Sequence, residues 1–170
     1  MGKLRILGAG QYGFVAKEVA EVMGIYSQID FLDDYSEIAV GKLNDIEKTE
    51  HAAAFVAIGD PIVREQWIEK IGNIGRGCKL ATLIHPKAVV SPSAVIGEGC
   101  IIEGGAVISA DVKIEKGTII MANAVVGHNG TVGSCCQLKY NCTIPENWVV
   151  PNYSKVDCNV VYEKHNHCWM

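Results

Sequence analysis

An α/β sheet unit followed by a parallel β-helix is the fold class predicted for this chain of 170 residues, and three observations predict it. From Ala88 to about Lys164 an apolar residue recurs at every sixth position: Val90, Ile96, Ile102, Ile108, Ile114, Ile120, Val126, Val132, Leu138, Ile144, Val150, Val156 and Tyr162. Two residues before each stands a second, mostly small series that includes Ala88, Ala94, Cys100, Ala106, Ala124, Gly130, Cys136 and Cys142. Upstream, short apolar runs alternate with stripes at helical spacing, and the first run leads directly into a G-x-G-x-x-G sequence. A period of six fits neither a helix nor a lone strand. It is the mark of stacked hexapeptide coils, three hexads to a triangular turn. The apolar residue of each hexad points into the prism, and the small one sits at a crowded corner.

The elements of the first half follow in order. Leu4-Arg5-Ile6-Leu7 reads as a strand, and Gly8-Ala9-Gly10-Gln11-Tyr12-Gly13 follows at once. Val15, Val19, Val22 and Met23 form a helical stripe that Gly24 ends. Ile29-Asp30-Phe31-Leu32-Asp33-Asp34 is a second strand with carboxylates at its C-terminal end. Ala53 to Ile58 is a third, closed by Gly59-Asp60. Pro61 suits the first position of a helix carrying Ile62, Trp67, Ile68 and Ile71. Leu80 to Ile84 is a fourth strand. Strands alternating with helices predict a parallel sheet.

Composition narrows the function classes. Hydrophobic residues make up 49% and charged residues 20%, as in ordinary globular chains. A net charge of −4 offers no basic field to nucleic acid. No apolar run reaches the length of a membrane span, and Met1 to Ile6 enters a strand pattern without a cleavable leader. Gly2 begins a myristoylation-like pattern that Ile6 breaks. The seven cysteines form no CxxC pair, and Cys100, Cys136 and Cys142 fall on the small series, where they read as buried hydrophobes. A reduced, cytoplasmic setting is expected.

The complete G-x-G-x-x-G, set between a strand and a helix with Asp33-Asp34 about 20 residues on, offers backbone N–H groups and a helix N-terminus to a phosphate. The region spans only about 80 residues, one mononucleotide-binding half, so the UDP or GDP part of a nucleotide sugar fits it better than a dinucleotide. Alternatively the glycines serve only a tight turn. Asp33 and Asp34 either accept from a ribose or amino sugar or form a solvated strand end.

Several stretches resemble the hexapeptide-repeat nucleotide-sugar acetyltransferases, the group of UDP-4-amino-sugar N-acetyltransferases, perosamine N-acetyltransferases and sialic-acid O-acetyltransferases. They are Gly8 to Gly13, Phe31 to Asp34, Ala57-Ile58-Gly59-Asp60 with Arg64, Leu83-Ile84-His85-Pro86, Val90 to Gly97, and Asn123-Ala124-Val125-Val126-Gly127-His128. The resemblance covers nearly the whole chain. It implies a Rossmann-like nucleotide-sugar-binding domain over 1–84 and a left-handed β-helix over 85–170, assembled as a homotrimer. It implies acetyl-CoA as co-substrate, lying between adjacent β-helices, with the amino sugar reaching in from the N-terminal domain. No metal is implied.

The resemblance assigns His128 as general base, with Asn129 where relatives carry an acid. Imidazole suits removal of a proton from an attacking amine near neutral pH. Asn129 can orient the ring but brings no charge. Gly127 and Gln137 are assigned to the thioester end of acetyl-CoA. Gln137 stands where relatives often carry histidine, and it is either a polarising donor or an ordinary corner residue. Gly8, Gly10, Gln11, Tyr12, Gly13, Asp33, Asp34, Gly59 and Asp60 would hold the nucleotide sugar. Tyr12 replaces a common histidine and would stack on a base or ribose. At the C-terminal end Trp148 occupies a small-residue position and Pro145, Pro151 and Tyr153 interrupt the hexads. About four coils remain, a prism about 20 Å tall at ~4.8 Å per layer, whose open end Trp148 and Trp169 would plug.

His165, His167 and Cys168 resemble a soft metal cluster without a fourth ligand. His85-Pro86 marks the passage from sheet to β-helix, and Cys135-Cys136 reads as packing. The function expected is acetyl transfer to the amino group of a nucleotide-linked amino sugar in bacterial surface glycan synthesis. O-acetylation of a sugar or serine is the second enzyme reading. A catalytically decayed relative that binds a nucleotide or scaffolds an oligomer is the third.

Overall fold

A computed structural model describes residues 2–48, 52–74 and 78–163. The N-terminal unit holds strands β1 (Gly2–Leu7), β2 (Tyr26–Leu32), β3 (Ala52–Val56) and β4 (Lys79–Leu80), helices α1 (Gln11–Met23) and α2 (Pro61–Asn73), and a 3-10 segment, Leu43–Lys48. The sheet is parallel, in the order β2-β1-β3-β4. Gly24 ends α1 in the left-handed region at φ 67°, where glycine is unstrained. Leu4, Ile6, Phe31 and Phe55 pack against Ala16, Val19 and Ala20 of α1. Of the stripe read from the sequence, Val19 and in part Met23 join this core, whereas Val22 is exposed, because the small Gly13, Ala16 and Ala20 form the face that lies on the sheet.

The fourth strand expected over 80–84 is two strands. Ala81 N–H still bonds Ala54 of β3 (2.8 Å), but Leu83 N–H donates to Cys100 (2.8 Å), and from there the chain winds as a left-handed β-helix. Three parallel sheets form its faces. The first holds Leu83–Ile84, Ile101–Ile102, Ile119–Ile120, Gln137–Leu138 and Lys155–Val156. The second holds Val89–Val90, Val107–Ile108, Val125–Val126 and Thr143–Ile144; the third holds Val95–Ile96, Lys113–Ile114, Thr131–Val132 and Val149–Val150. The sixth-residue apolar series and the small series fill one continuous core. Pro145, Pro151 and Tyr153 do not interrupt it, because they fall at corners and the strands on either side keep phase. Trp148 is half-buried and meets Tyr162 edge-on at 6.0 Å, closing the end of the prism; Trp169 lies outside the described residues.

A second periodic series sits at the corners. Gly99, Gly105, Asp111, Gly117, Asn123, Asn129, Cys135, Asn141, Asn147, Tyr153 and Asn159 all have φ between 54° and 77°. Glycine, asparagine and aspartate are the residues that tolerate this conformation, and they fill all of these positions except Cys135 and Tyr153. Those two lie at the corner where α2 docks. The Cys135 carbonyl accepts from Arg64 (2.5 Å), and the Tyr153 hydroxyl donates to Glu65 (2.7 Å).

The N-terminal unit lies across the first face. Outward-facing Leu83, Ile101 and Ile119 are fully covered there, whereas Val89, Val95 and Val149 on the other faces are more than 60% exposed. Arg64 of α2 joins the halves. It is 0% exposed, and its guanidinium donates to Gly117 (Nε, 2.8 Å), Ile58 (Nη1, 2.7 Å) and Cys135 (Nη2, 2.5 Å). The charge is met by carbonyl dipoles, and burial pulls its pKa below the ordinary arginine value. Replacing Arg64 with Leu leaves these carbonyls without donors. At about 1–3 kcal/mol per unsatisfied buried group, the variant is expected to lose roughly 3 kcal/mol in urea unfolding and to resolve two transitions where the parent shows one.

Candidate active site

In the sheet order the chain reverses direction between β1 and β3, and the crevice beyond their C-terminal ends is where ligands bind in open α/β sheets. The glycine loop forms one wall. Gly8 sits at φ 104°, and a Cβ at Gly13 would stand 2.2 Å from the Gly8 carbonyl and 3.3 Å from Phe31. These two glycines serve the turn and the packing of α1 on the sheet. Gly10 and Gly59 face open space. Gly10 caps α1 without a side chain, so the first-turn N–H groups of Gln11 and its neighbours point toward that opening.

The acids are engaged by the fold. Asp33 accepts from Ala9 N–H through Oδ2 (2.8 Å) and from Tyr35 and Ser36 N–H through Oδ1 (2.9 and 3.0 Å). These N–H groups, Ala9 first, hold its pKa below the ordinary range. Asp34 accepts from Leu43 N–H (3.1 Å). Asp60 caps α2 by accepting from Ile62 and Val63 (2.9 and 3.0 Å), and its pKa is lowered by the same bonds. The α2 terminus therefore already carries an anion, whereas that of α1 does not.

Tyr12 is turned onto the β-helix. Its hydroxyl donates to Glu103 Oε1 (3.3 Å), and Glu103 Oε2 accepts from Ala122 N–H (3.1 Å). The ring is a latch between the glycine loop and the prism, where stacking on a base had been expected. Burial, and then the Glu103 charge, pushes the Tyr12 phenol up, and burial raises Glu103. Sequence reasoning missed Glu103, because a corner glutamate ordinarily reads as solvated.

His128 is exposed at the corner between the second and third faces, two residues beyond inward Val126. Asn129 follows at φ 58°, its amide 3.5 Å from His128 Nδ1 and 3.2 Å from Asn147 one coil on. Gly127 is required by stacking, since a Cβ would stand 2.5 Å from Glu146 N. Its N–H is spent on Ile144 (2.8 Å) and its carbonyl on Gly130 (3.1 Å). Gln137 lies on the first face, its amide 4.0 Å from Met121 Sδ. Strand pairs such as Ile119 with Gln137 put one coil at eighteen residues, so the nine residues from His128 to Gln137 are half a turn. Within one chain the structure therefore gathers the glycine loop, Asp33, Asp34, Gly59, Asp60 and Gln137 on one side of the prism. His128, Asn129 and Gly127 are on the opposite corner.

The remaining candidates resolve as follows. His85 Nδ1 accepts from Lys87 N–H (3.0 Å) in the first corner. Burial pushes the Cys100 thiol up to about 12 and Cys136 and Cys142 up to about 11, so these are packing residues and not nucleophiles. His165, His167 and Cys168 lie outside the described residues, among which no group of three or more His, Cys, Asp or Glu side chains is placed to hold a metal. No helix of the described residues is long and apolar enough to cross a membrane.

A Rossmann-like half carrying a left-handed hexapeptide prism is an architecture shared with solved sugar acetyltransferases. Residues 3–71 match the PglD N-terminal domain family. The acetyltransferase domain of PglB from Neisseria gonorrhoeae is 25% identical over 95% of this chain and 94% of its own, with a TM-score of 0.68. The same domain in complex with acetyl coenzyme A superposes with a TM-score of 0.70 at 25% identity, over 93% of this chain and 92% of its own. PerB from Caulobacter crescentus in complex with CoA and GDP-perosamine is 26% identical over 94% of this chain and 91% of its own, with a TM-score of 0.68. Over nearly its whole length the chain is similar to nucleotide-sugar acetyltransferases, and it is an enzyme of the acetyltransferase class.

Because the folded-state pKa of Asp33 is depressed, its contribution is complete above the unfolded value of about 4 and is lost as pH falls through the lower folded value. Asp33→Asn is expected to speed hydrogen exchange at Ala9 or at Tyr35 and Ser36 near neutral pH, and to flatten the acid limb of the stability curve. Unchanged exchange at all three amides would show that the carboxylate does not hold the loop.

Proposed function

We propose that this enzyme transfers the acetyl group of acetyl-CoA to the amino group of a nucleotide-linked amino sugar, serving surface glycan synthesis in the cytoplasm of a bacterium. The observation that carries the reading is an open, uncapped α1 N-terminus at the sheet's switch point, set on a hexapeptide prism with a histidine corner. The likeness to the H141N mutant of a perosamine N-acetyltransferase in complex with CoA and GDP-perosamine, over nearly all of both chains, supports the substrate class. The free cysteines fit a reducing compartment.

On this reading the diphosphate meets the N–H groups of Gln11, Tyr12 and Gly13 and the α1 dipole. Gly10 lets the backbone approach, and Asp33 holds the loop in shape. The acceptor amine attacks the thioester carbonyl carbon while His128 takes its proton. The C–S bond then breaks, and CoA leaves as the thiol after receiving a proton. Asn129 orients the imidazole. Gln137 donates to the developing oxyanion.

The opposite placement of the glycine loop and His128 supports a homotrimer, in which His128 of one copy serves an acceptor held by another. The column of Val89, Val107 and Val125 on the second face gives the apolar surface for such packing. Light scattering is expected to give three times 18.4 kDa.

Calorimetry should show micromolar acetyl-CoA binding, and turnover should appear with a UDP- or GDP-linked amino sugar. His128→Ala is expected to lower kcat by roughly 10²–10⁴ with acetyl-CoA affinity unchanged. Asn129→Asp supplies the missing acid and is expected to raise kcat. Absence of acetyl-CoA binding would sink the proposal. Acetyl-CoA or nucleotide-sugar binding without turnover in either form would identify a decayed relative.

A further inference from the structure

Asn129 and Asn147 stack one coil apart at the same corner, both in the left-handed conformation. In the structure Asn129 Nδ2 donates to Asn147 Oδ1 (3.2 Å), and the same atom lies 3.5 Å from His128 Nδ1. Oxygen and nitrogen of an amide are nearly the same size, so exchanging them in both asparagines leaves every heavy atom where it is. The two arrangements are chemically opposite. In one, Asn129 Nδ2 donates to Asn147 Oδ1 and to an unprotonated His128 Nδ1, which puts the ring proton on Nε2. In the other, Asn147 Nδ2 donates to Asn129 Oδ1, and His128 Nδ1–H donates to that same oxygen, which leaves the Nε2 lone pair free.

Only the second arrangement lets His128 act as a base through Nε2. It also gives the imidazolium formed on proton uptake an acceptor for Nδ1–H, where the first sets an N–H against an N–H. We infer that Asn147 is a positioning residue: by donating its amide N–H to Asn129 Oδ1 it turns that oxygen toward His128 Nδ1–H and so sets the tautomer of the base. An amide ladder between coils thus takes the place of a carboxylate beside the histidine. The inference rests on the reading of His128 as base.

The fold supplies its own control. Asn141 Nδ2 donates to Asn159 Oδ1 (3.1 Å) at the corner between the first and second faces, the same ladder with no histidine beside it. An asparagine ladder by itself is therefore a stacking device, and only that of Asn129 and Asn147 carries a tautomer with it.

The test is long-range proton–nitrogen NMR of the full-length protein, with His128→Ala used to assign the ring signals. The parent is expected to show Nδ1–H. Asn147→Asp, which presents only acceptors, forces Asn129 to donate upward and is expected to switch His128 to Nε2–H. Its kcat should fall by roughly 10²-fold with KM for acetyl-CoA unchanged. Asn159→Asp should change neither spectrum nor rate. Should Asn147→Asp fail to fold, Asn147→Ala removes the selection and should give a mixture of tautomers. An Nε2–H tautomer in the parent, or an unchanged tautomer on substitution at 147, overturns the inference. Retention of kcat in His128→Ala overturns the base reading instead, and the tautomer measurement still decides the role of Asn147.

Discussion

The left-handed corner at every sixth residue is the constraint on which the rest of this molecule depends. Each coil closes its backbone hydrogen bonds on the next, as Val125 N–H does on Cys142 (2.9 Å) and Gly127 N–H on Ile144 (2.8 Å). A one-residue slip would break these bonds and move the apolar series out of the prism together. The corner also decides what can stand beside His128. Position 129 must accept φ near 60°, which favours glycine, asparagine or aspartate, and on the proposed function it also orients an imidazole, which excludes glycine. Asparagine there satisfies the backbone and retains a polar group, at the loss of the charge that would stabilise imidazolium.

The corner carbonyls have a second use. At Gly117 and Cys135 they accept from Arg64, which is how a charged side chain is buried without a carboxylate partner. Leaving a guanidinium dry is costly, and dipoles fixed by the coil offset that cost without reorganising. The same α2 is clamped by ion pairs of Lys116 with Glu65 and Glu69 (3.6 and 3.5 Å), and α1 by Tyr12 on Glu103. Both helix N-termini that border the crevice are thereby tied to one face of the prism.

Much of this was legible because the β-helix repeats one local rule. The apolar phase located the strands, and Gly8, Gly13 and Gly24 marked a turn, a close contact and a helix end. The corner series was equally present as Gly, Asn and Asp three residues after each inward position from Ile96 to Val156, but it is masked by the exceptions Cys135 and Tyr153, whose strain makes sense only once α2 is docked beside them. The fourth strand was read as continuous because Leu80 to Ile84 is uniformly apolar, and nothing local announces that the chain changes partners at Thr82. Asp33 and Asp60 read as ligand groups from the sequence, and in the structure their oxygens accept from backbone N–H groups, a use that spacing alone does not announce. Arg64 and Glu103 have roles set by partners 53 and 19 residues away, beyond any spacing argument.

Half a coil separates residues nine apart, so a motif that is compact in sequence is split across the width of the prism. His128 and Gln137 illustrate it: adjacent in a linear reading, they occupy an edge and the face opposite. On the proposed function, both must reach one thioester. A single triangular prism cannot bring an edge to its own opposite face, so on that reading one of the two groups comes from another copy. The exposed apolar columns fit the same requirement, because outward valines such as Val89, Val95 and Val149 gain nothing in water and stabilise a contact between prisms when covered. On the proposed function the chemistry and the hydrophobic surface therefore make the same demand, for more than one copy of the chain.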